Sequence, residues 1–213
     1  MRKIKTLFVA LFFLLTAVAI SAAYDPFAPK NEITLWLDAD SKKLESAKSF
    51  LAQSGFLAVT GNLRGKALVT NLDYLSPLQI EEIETFLAKG GKLILLGTKN
   101  FGEITFFGKQ YVGEDLFYLE IVDPTYTQSP KVFTIPKNAA PISVIAEDDR
   151  DSVLAEYLLA DGTSKSHIDL LNSAVLKTRW GLYSGFDWFD GAFLEDPAYR
   201  QLFMLWLRKT IWS

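Results

Sequence analysis

The side chains able to do chemistry in this 213-residue chain are mostly oxygen donors that follow apolar runs. Asp38, Asp40 and Ser41 follow the first run, and Asn71, Asp73 and Tyr74 follow another. Thr98, Lys99, Asn100 and Phe101 follow a third, and Asp187, Trp188 and Asp190 lie near the carboxyl end. A pair such as Asp38 and Asp187 could divide the roles of general acid and base in glycoside cleavage, which needs carboxyls about 5–10 Å apart. Asp38, Asp40 and Asp73 could instead offer oxygens to a hard cation such as Ca²⁺ or Mg²⁺. Carboxylates beside aromatic faces also suit a sugar, accepting hydroxyl hydrogen bonds while the ring stacks. Neither the D-x-D of residues 38–40 nor the acidic tract Glu147 to Asp151 is diagnostic. The glycine and terminal glutamate of a calcium loop are missing, and Asp or Asn at a strand-to-helix turn ordinarily caps the helix or shapes the turn. The expected ligand-binding set is therefore Asp38, Asp40, Asn71, Asp73, Thr98, Asn100, Asp187 and Trp188, with no catalytic residue, metal or cofactor assigned.

What the chain lacks narrows its chemistry. It contains no cysteine and one histidine. That removes disulfides, thiolate zinc sites, iron–sulfur clusters and cysteine nucleophiles. His167 sits in the polar stretch Thr163 to Ser166 and reads as a loop residue rather than a catalytic base. No G-x-S-x-G elbow and no G-x-G-x-x-G phosphate cradle is present. With 49% hydrophobic and 14% aromatic residues the chain can bury a substantial core, which excludes intrinsic disorder.

The elements that must position the rim follow from periodicity. Ile33 to Leu37 is continuously apolar, as for a strand covered on both faces. Asp40 or Ser41 caps a helix whose Leu44, Ala47, Phe50 and Leu51 share one face, and Gly55 stops it. Phe56 to Thr60 and Ala67 to Thr70 are strands. Ser76-Pro77-Leu78-Gln79 is a capping box with proline at the first helical position, opening a helix that buries Ile80, Ile83, Phe86 and Leu87 before Gly90-Gly91. Lys92 to Leu96 is the next strand. This alternation predicts an α/β fold: a doubly wound, mostly parallel sheet with helices on both faces. Short β runs at 116–122, 132–135, 142–146, 152–159, 174–180 and 182–186 predict antiparallel additions in the second half. A last helix starts at Asp196-Pro197 and buries Tyr199, Leu202, Phe203 and Trp206. Trp188, Phe189 and Phe193 fall in the Gly- and Asp-rich loop FDWFDGAFLED, either packed beneath it or exposed as an apolar patch.

Two stretches resemble a known family. ALVTNLDYLSPLQIEEIETFLAKGGKLILLG is similar to a recurring segment of the class I glutamine amidotransferase-like fold, in which a strand, a polar turn, a helix and a Gly-Gly pair lead into the next core strand. GLYSGFDWFDGAFLEDPAYRQLFMLWLRKTIW resembles the closing strand and terminal helix of secreted members of that superfamily. The resemblance implies a flavodoxin-like α/β scaffold over residues 24–213. It also implies a lost reaction, because active members use a cysteine activated by histidine and this chain has no cysteine.

The amino terminus reads as an address. Arg2, Lys3 and Lys5 form a basic region, Leu7 to Ile20 an apolar one, and Ser21, Ala22 and Ala23 a small-residue cleavage site. Cleavage is expected after Ala23 or Ala22. An uncleaved membrane anchor is the competing reading, although an apolar stretch of roughly 14 residues falls short of the ~20 needed to span. Removal takes three of the 22 basic residues and none of the 25 acidic ones, leaving −6, a balance with no footprint for nucleic acid. The expectation is thus a secreted or periplasmic, non-catalytic binding domain whose partner is an envelope protein or a glycan. A carboxylate-based hydrolase acting on carbohydrate is the alternative.

Overall fold

A computed structural model describes residues 31–98, 110–112, 116–137, 139, 141–144, 152–163 and 173–212. Residues 1–23, expected to be a leader, Asn100, the tract at 147–151 and His167 lie outside the described residues. In chain order the elements are β1 (Glu32–Trp36), α1 (Ser41–Gln53), β2 (Leu57–Thr60), β3 (Ala67–Thr70), α2 (Pro77–Ala88) and β4 (Lys92–Leu96). Then come β5 (Gln110–Val112), β6 (Tyr118–Ile121), β7 (Val132–Thr134), β8 (Ile142–Val144) and β9 (Ser152–Leu158). The chain closes with β10 (Ser173–Thr178), β11 (Gly181–Ser184), α3 (Gly191–Glu195) and α4 (Pro197–Ile211).

The strands join one sheet whose continuous path runs β2-β1-β3-β4-β11-β10-β9-β6-β7, with β8 paired to β10 and β5 to β8. The first five positions are mutually parallel and follow the doubly wound order in which β1 and β3 flank the switch point. Helices cover both faces. Ile33, Leu35, Val69 and Ile94 pack with Phe50 and Leu51 of α1 and with Leu202, Phe203 and Trp206 of α4. Leu68, Leu93, Leu95 and Tyr183 pack on the other face with Ile83 of α2 and Trp180.

The expectation of a mostly parallel sheet needs correction. Four described strand pairs are parallel and six antiparallel, because the described strands between β4 and β11 pair antiparallel and join the parallel half through the β10–β11 hairpin. The antiparallel strands lie in the second half, where the short β runs place them: β10 is buried at five of its six positions and is antiparallel to β9 and β11.

Local signals are carried through at the helix ends. The capping box is reciprocal: Gln79 N donates to Ser76 Oγ at 3.3 Å and Ser76 N donates to Gln79 Oε1 at 2.9 Å. Asp40 caps α1 by accepting from Lys43 N at 2.7 Å, and Asp196 caps α4 by accepting from Ala198 N at 2.8 Å.

The β2–β3 connection contains no helix. It crosses the α2 face of β1, where Thr34 Oγ1 donates to Arg64 O at 2.7 Å and accepts from Arg64 N at 2.9 Å. Lys66 N donates to Glu32 O at 2.8 Å, and the Trp36 indole donates to Gly61 O at 2.8 Å. So close an approach requires Gly65: its φ is +82°, and a Cβ there would overlap the Glu32 carbonyl.

Candidate functional site

The carboxyl ends of β1, β3 and β11 meet at the switch point, where open parallel sheets gather their polar loops. Asn71, the first residue after β3, fills the gap. Its Oδ1 accepts from Asp38 N at 2.7 Å and its Nδ2 donates to Asp38 O at 3.2 Å, so one side-chain amide clamps the backbone that leaves β1. The same Nδ2 donates to Asp187 Oδ2 at 2.6 Å.

Asp187 is the centre of the cluster, with its side chain 12% exposed. Oδ2 also takes Lys43 Nζ at 2.8 Å, and Oδ1 accepts from Phe189 N at 2.9 Å. Both oxygens are therefore engaged. Lys43, from the first turn of α1, reaches Asp190 Oδ1 at 2.7 Å as well. That pairing explains why Asp190 starts α3 without a side-chain capping bond. Burial alone would lower the Lys43 pKa, but hydrogen bonds and charge from the two carboxylates outweigh it and raise the pKa above the ordinary lysine value. The arrangement is an ammonium between two carboxylates, with an amide completing the shell. It holds charge in place and offers no activated nucleophile.

The expected site residues divide accordingly. Asn71 and Asp187 come together, and Asp38 joins through its backbone while its side chain faces solvent. Asp40 is a helix cap, Asp73 is exposed, and Thr98 is buried. Trp188 is 1% exposed: its indole N–H donates to Ser184 Oγ at 2.9 Å and its rings stack on Phe203 at 4.8 Å. No face of Trp188 remains for a sugar ring. Phe189 and Phe193 are likewise buried, which settles the aromatic loop as packing. The cation site at Asp38, Asp40 and Asp73 is not assembled, since no three potential ligands converge among the described residues.

Lys43 is the member that sequence reasoning missed. A signal existed: Lys42 and Lys43 stand in the first turn of α1, which holds no acidic residue and where the helix dipole disfavours cations. A lysine there needs a carboxylate from elsewhere in the fold.

Grooves lie along α1 and along α2. One of about 440 Å³ runs along α2, lined by Leu63, Leu78, Glu81, Glu82 and Phe86 among others. Leu78 is 77% exposed, as is Tyr74 on the loop that enters α2. A second, of about 490 Å³, lies between α1 and the α3–α4 corner. No helix among the described residues is long and apolar enough to cross a membrane. No family model matches the chain, and no curated protein matches its sequence.

Proposed function

We propose that this chain is an extracytoplasmic, non-catalytic interaction domain on an amidotransferase-like scaffold, and that it docks an envelope protein through the surface around Tyr74 and Leu78. The observation that carries this reading is the contrast between two surfaces. At the switch point, Asp187 is saturated by Asn71, Lys43 and the Phe189 backbone, so its oxygens stabilise the fold and are not free to take a proton from a substrate. On α2, Leu78 stands 77% exposed on the wall of a groove, and Tyr74, equally exposed, lies on the loop that enters the helix. An exposed tyrosine and leucine at a helix start are the kind of anchor that a partner's pocket covers. The absence of cysteine, the resemblance to a secreted cysteine-dependent scaffold and the leader-like residues 1–23 support the same reading.

The test is a photo-crosslinking residue at position 78 of the full chain, expressed in its own envelope. One discrete protein adduct is expected, and Tyr74→Ser should abolish it. Turnover of a glycoside, ester or amide by the purified protein, lost in a folded Asp187→Asn variant, would overturn the proposal in favour of a carboxylate hydrolase.

A further inference from the structure

The groove between α1 and the α3–α4 corner carries a second site, independent of the Tyr74–Leu78 surface. Its floor is apolar, made by Phe50 and Leu194, and its volume of about 490 Å³ falls within the range that holds small ligands. The walls are polar: Ser46 from α1 and Glu195 from α3 face a groove that also takes Lys42 and Arg200.

Those two cations are misplaced for helix stability. Lys42 is the second residue of α1, and Arg200 is the fourth of α4, both near the ends where the backbone dipole is positive. Lys43, their neighbour, is compensated by Asp187 and Asp190. Among the described residues Lys42 and Arg200 form no ion pair, although Arg200 is partly buried and Glu45 on the same wall is already held by Lys48 at 2.7 Å. A guanidinium and an ammonium that make no ion pair among the described residues, over an apolar floor and beside hydroxyl groups, suit a small anion that also carries hydroxyls.

The geometry points to this groove as a binding site for a hydroxylated monocarboxylate of the sugar-acid class. Arg200 grips the carboxylate in a two-pronged hydrogen bond, with Lys42 adding charge. Ser46 and Glu195 take the hydroxyls, and the ring lies over Phe50 and Leu194. A free sugar acid and an acidic unit within a polysaccharide share this chemistry.

Sodium glucuronate is the probe, titrated into the ¹⁵N-labelled mature protein, with glucose and acetate as controls. Saturable amide shifts confined to α1, α3 and the start of α4 are expected for glucuronate, with each control at least tenfold weaker. Arg200→Gln should weaken binding roughly tenfold or more, and Arg200→Lys by less, in keeping with loss of one or both charge-assisted bonds. Ser46→Trp, which fills the groove, should abolish the shifts while the remaining spectrum stays that of the folded protein. Tighter binding of oligogalacturonate than of the monomer supports a polymer as the source, and equal binding supports a free acid. The absence of saturable shifts overturns the assignment. So does equal binding of glucose or acetate, or binding that Arg200→Gln leaves unchanged. Leu78→Glu separates this site from the protein-docking surface, since it should leave glucuronate binding intact.

Discussion

Asn71 and Asp187, 116 residues apart in the chain, meet at the carboxyl edge of the sheet with Asn71 Nδ2 donating to Asp187 Oδ2 at 2.6 Å. Since Asn71 also clamps both backbone groups of Asp38, this one side chain ties β1, β3 and the segment after β11 into a closed rim. The crevice that a parallel sheet offers to ligands is here occupied by the protein's own amide.

Replacing that amide by a carboxylate is the sharpest test of the rim. Asn71→Asp keeps the shape but loses the donor and sets a like charge against Asp187. Unfolding in urea at pH 7 should show a loss of about 2 kcal/mol. The deficit should shrink as salt is raised to about 1 M, which screens the pair of like charges. An equal loss at low and high salt would mean that shape, not charge, is what matters at position 71.

The Lys43–Asp187 contact should be cooperative. Lys43→Met leaves two carboxylates facing each other without a cation, and Asp187→Asn leaves the ammonium with Asp190 alone. Each single variant is expected to cost about 1–3 kcal/mol, and the double variant less than the sum by about 1 kcal/mol. The raised Lys43 pKa sets the sign at alkaline pH. A group protonated more readily when folded stabilises fully below its unfolded value, near 10.5, and the contribution fades as pH rises through the folded value. Additive single and double variants would show that the pair adds nothing.

At the other end of α4, acid should release a latch. Asp123 is 2% exposed and accepts from Lys209 Nζ at 2.7 Å, Thr125 N at 2.9 Å and Thr125 Oγ1 at 2.7 Å. Lys209 also meets the Thr125 hydroxyl. Burial would raise the Asp123 pKa, but the bonds from Lys209 and Thr125 outweigh it and hold the carboxyl below its ordinary value. Its contribution is therefore complete above the ordinary aspartate range, near pH 4, and is lost as pH falls through the lowered value. Asp123→Asn should cost about 2–4 kcal/mol at pH 7 and flatten the acid limb of a melting-temperature profile. A variant whose acid limb matches the parent's would refute the latch.

Two glycines of similar backbone separate conformation from contact. Gly65 and Gly90 have φ of +82° and +87°, but a Cβ at 65 would overlap the Glu32 carbonyl, whereas one at 90 meets nothing within 4 Å. Gly90→Ala should cost about 1 kcal/mol, the strain of the left-handed region alone. Gly65→Ala should cost well over twice as much, because the crossover must lift from β1 and strip Thr34 of its bonds. Equal melting temperatures for the two variants would remove the crossover as a stability determinant.

Helix starts and stops were written locally: Asp40, the Ser76–Gln79 box and Asp196-Pro197 act within a single turn, so their spacing suffices to read them. That the chain carries no thiol is equally plain, because composition alone decides it. The antiparallel second half was legible in its short β runs and the Gly181 turn, whereas the return of β11 to lie parallel beside β4 was not, since that pairing joins segments far apart in the chain. The rim lay between these cases. Asn71 and Asp187 carry side chains that invite a site, but whether they bind a ligand or each other depends on where Lys43 points, and that follows only when α1 docks beside the segment after β11. Spacing along the chain sets what each residue can do within a turn, while partners that are far apart in sequence are chosen by how helices pack on the sheet.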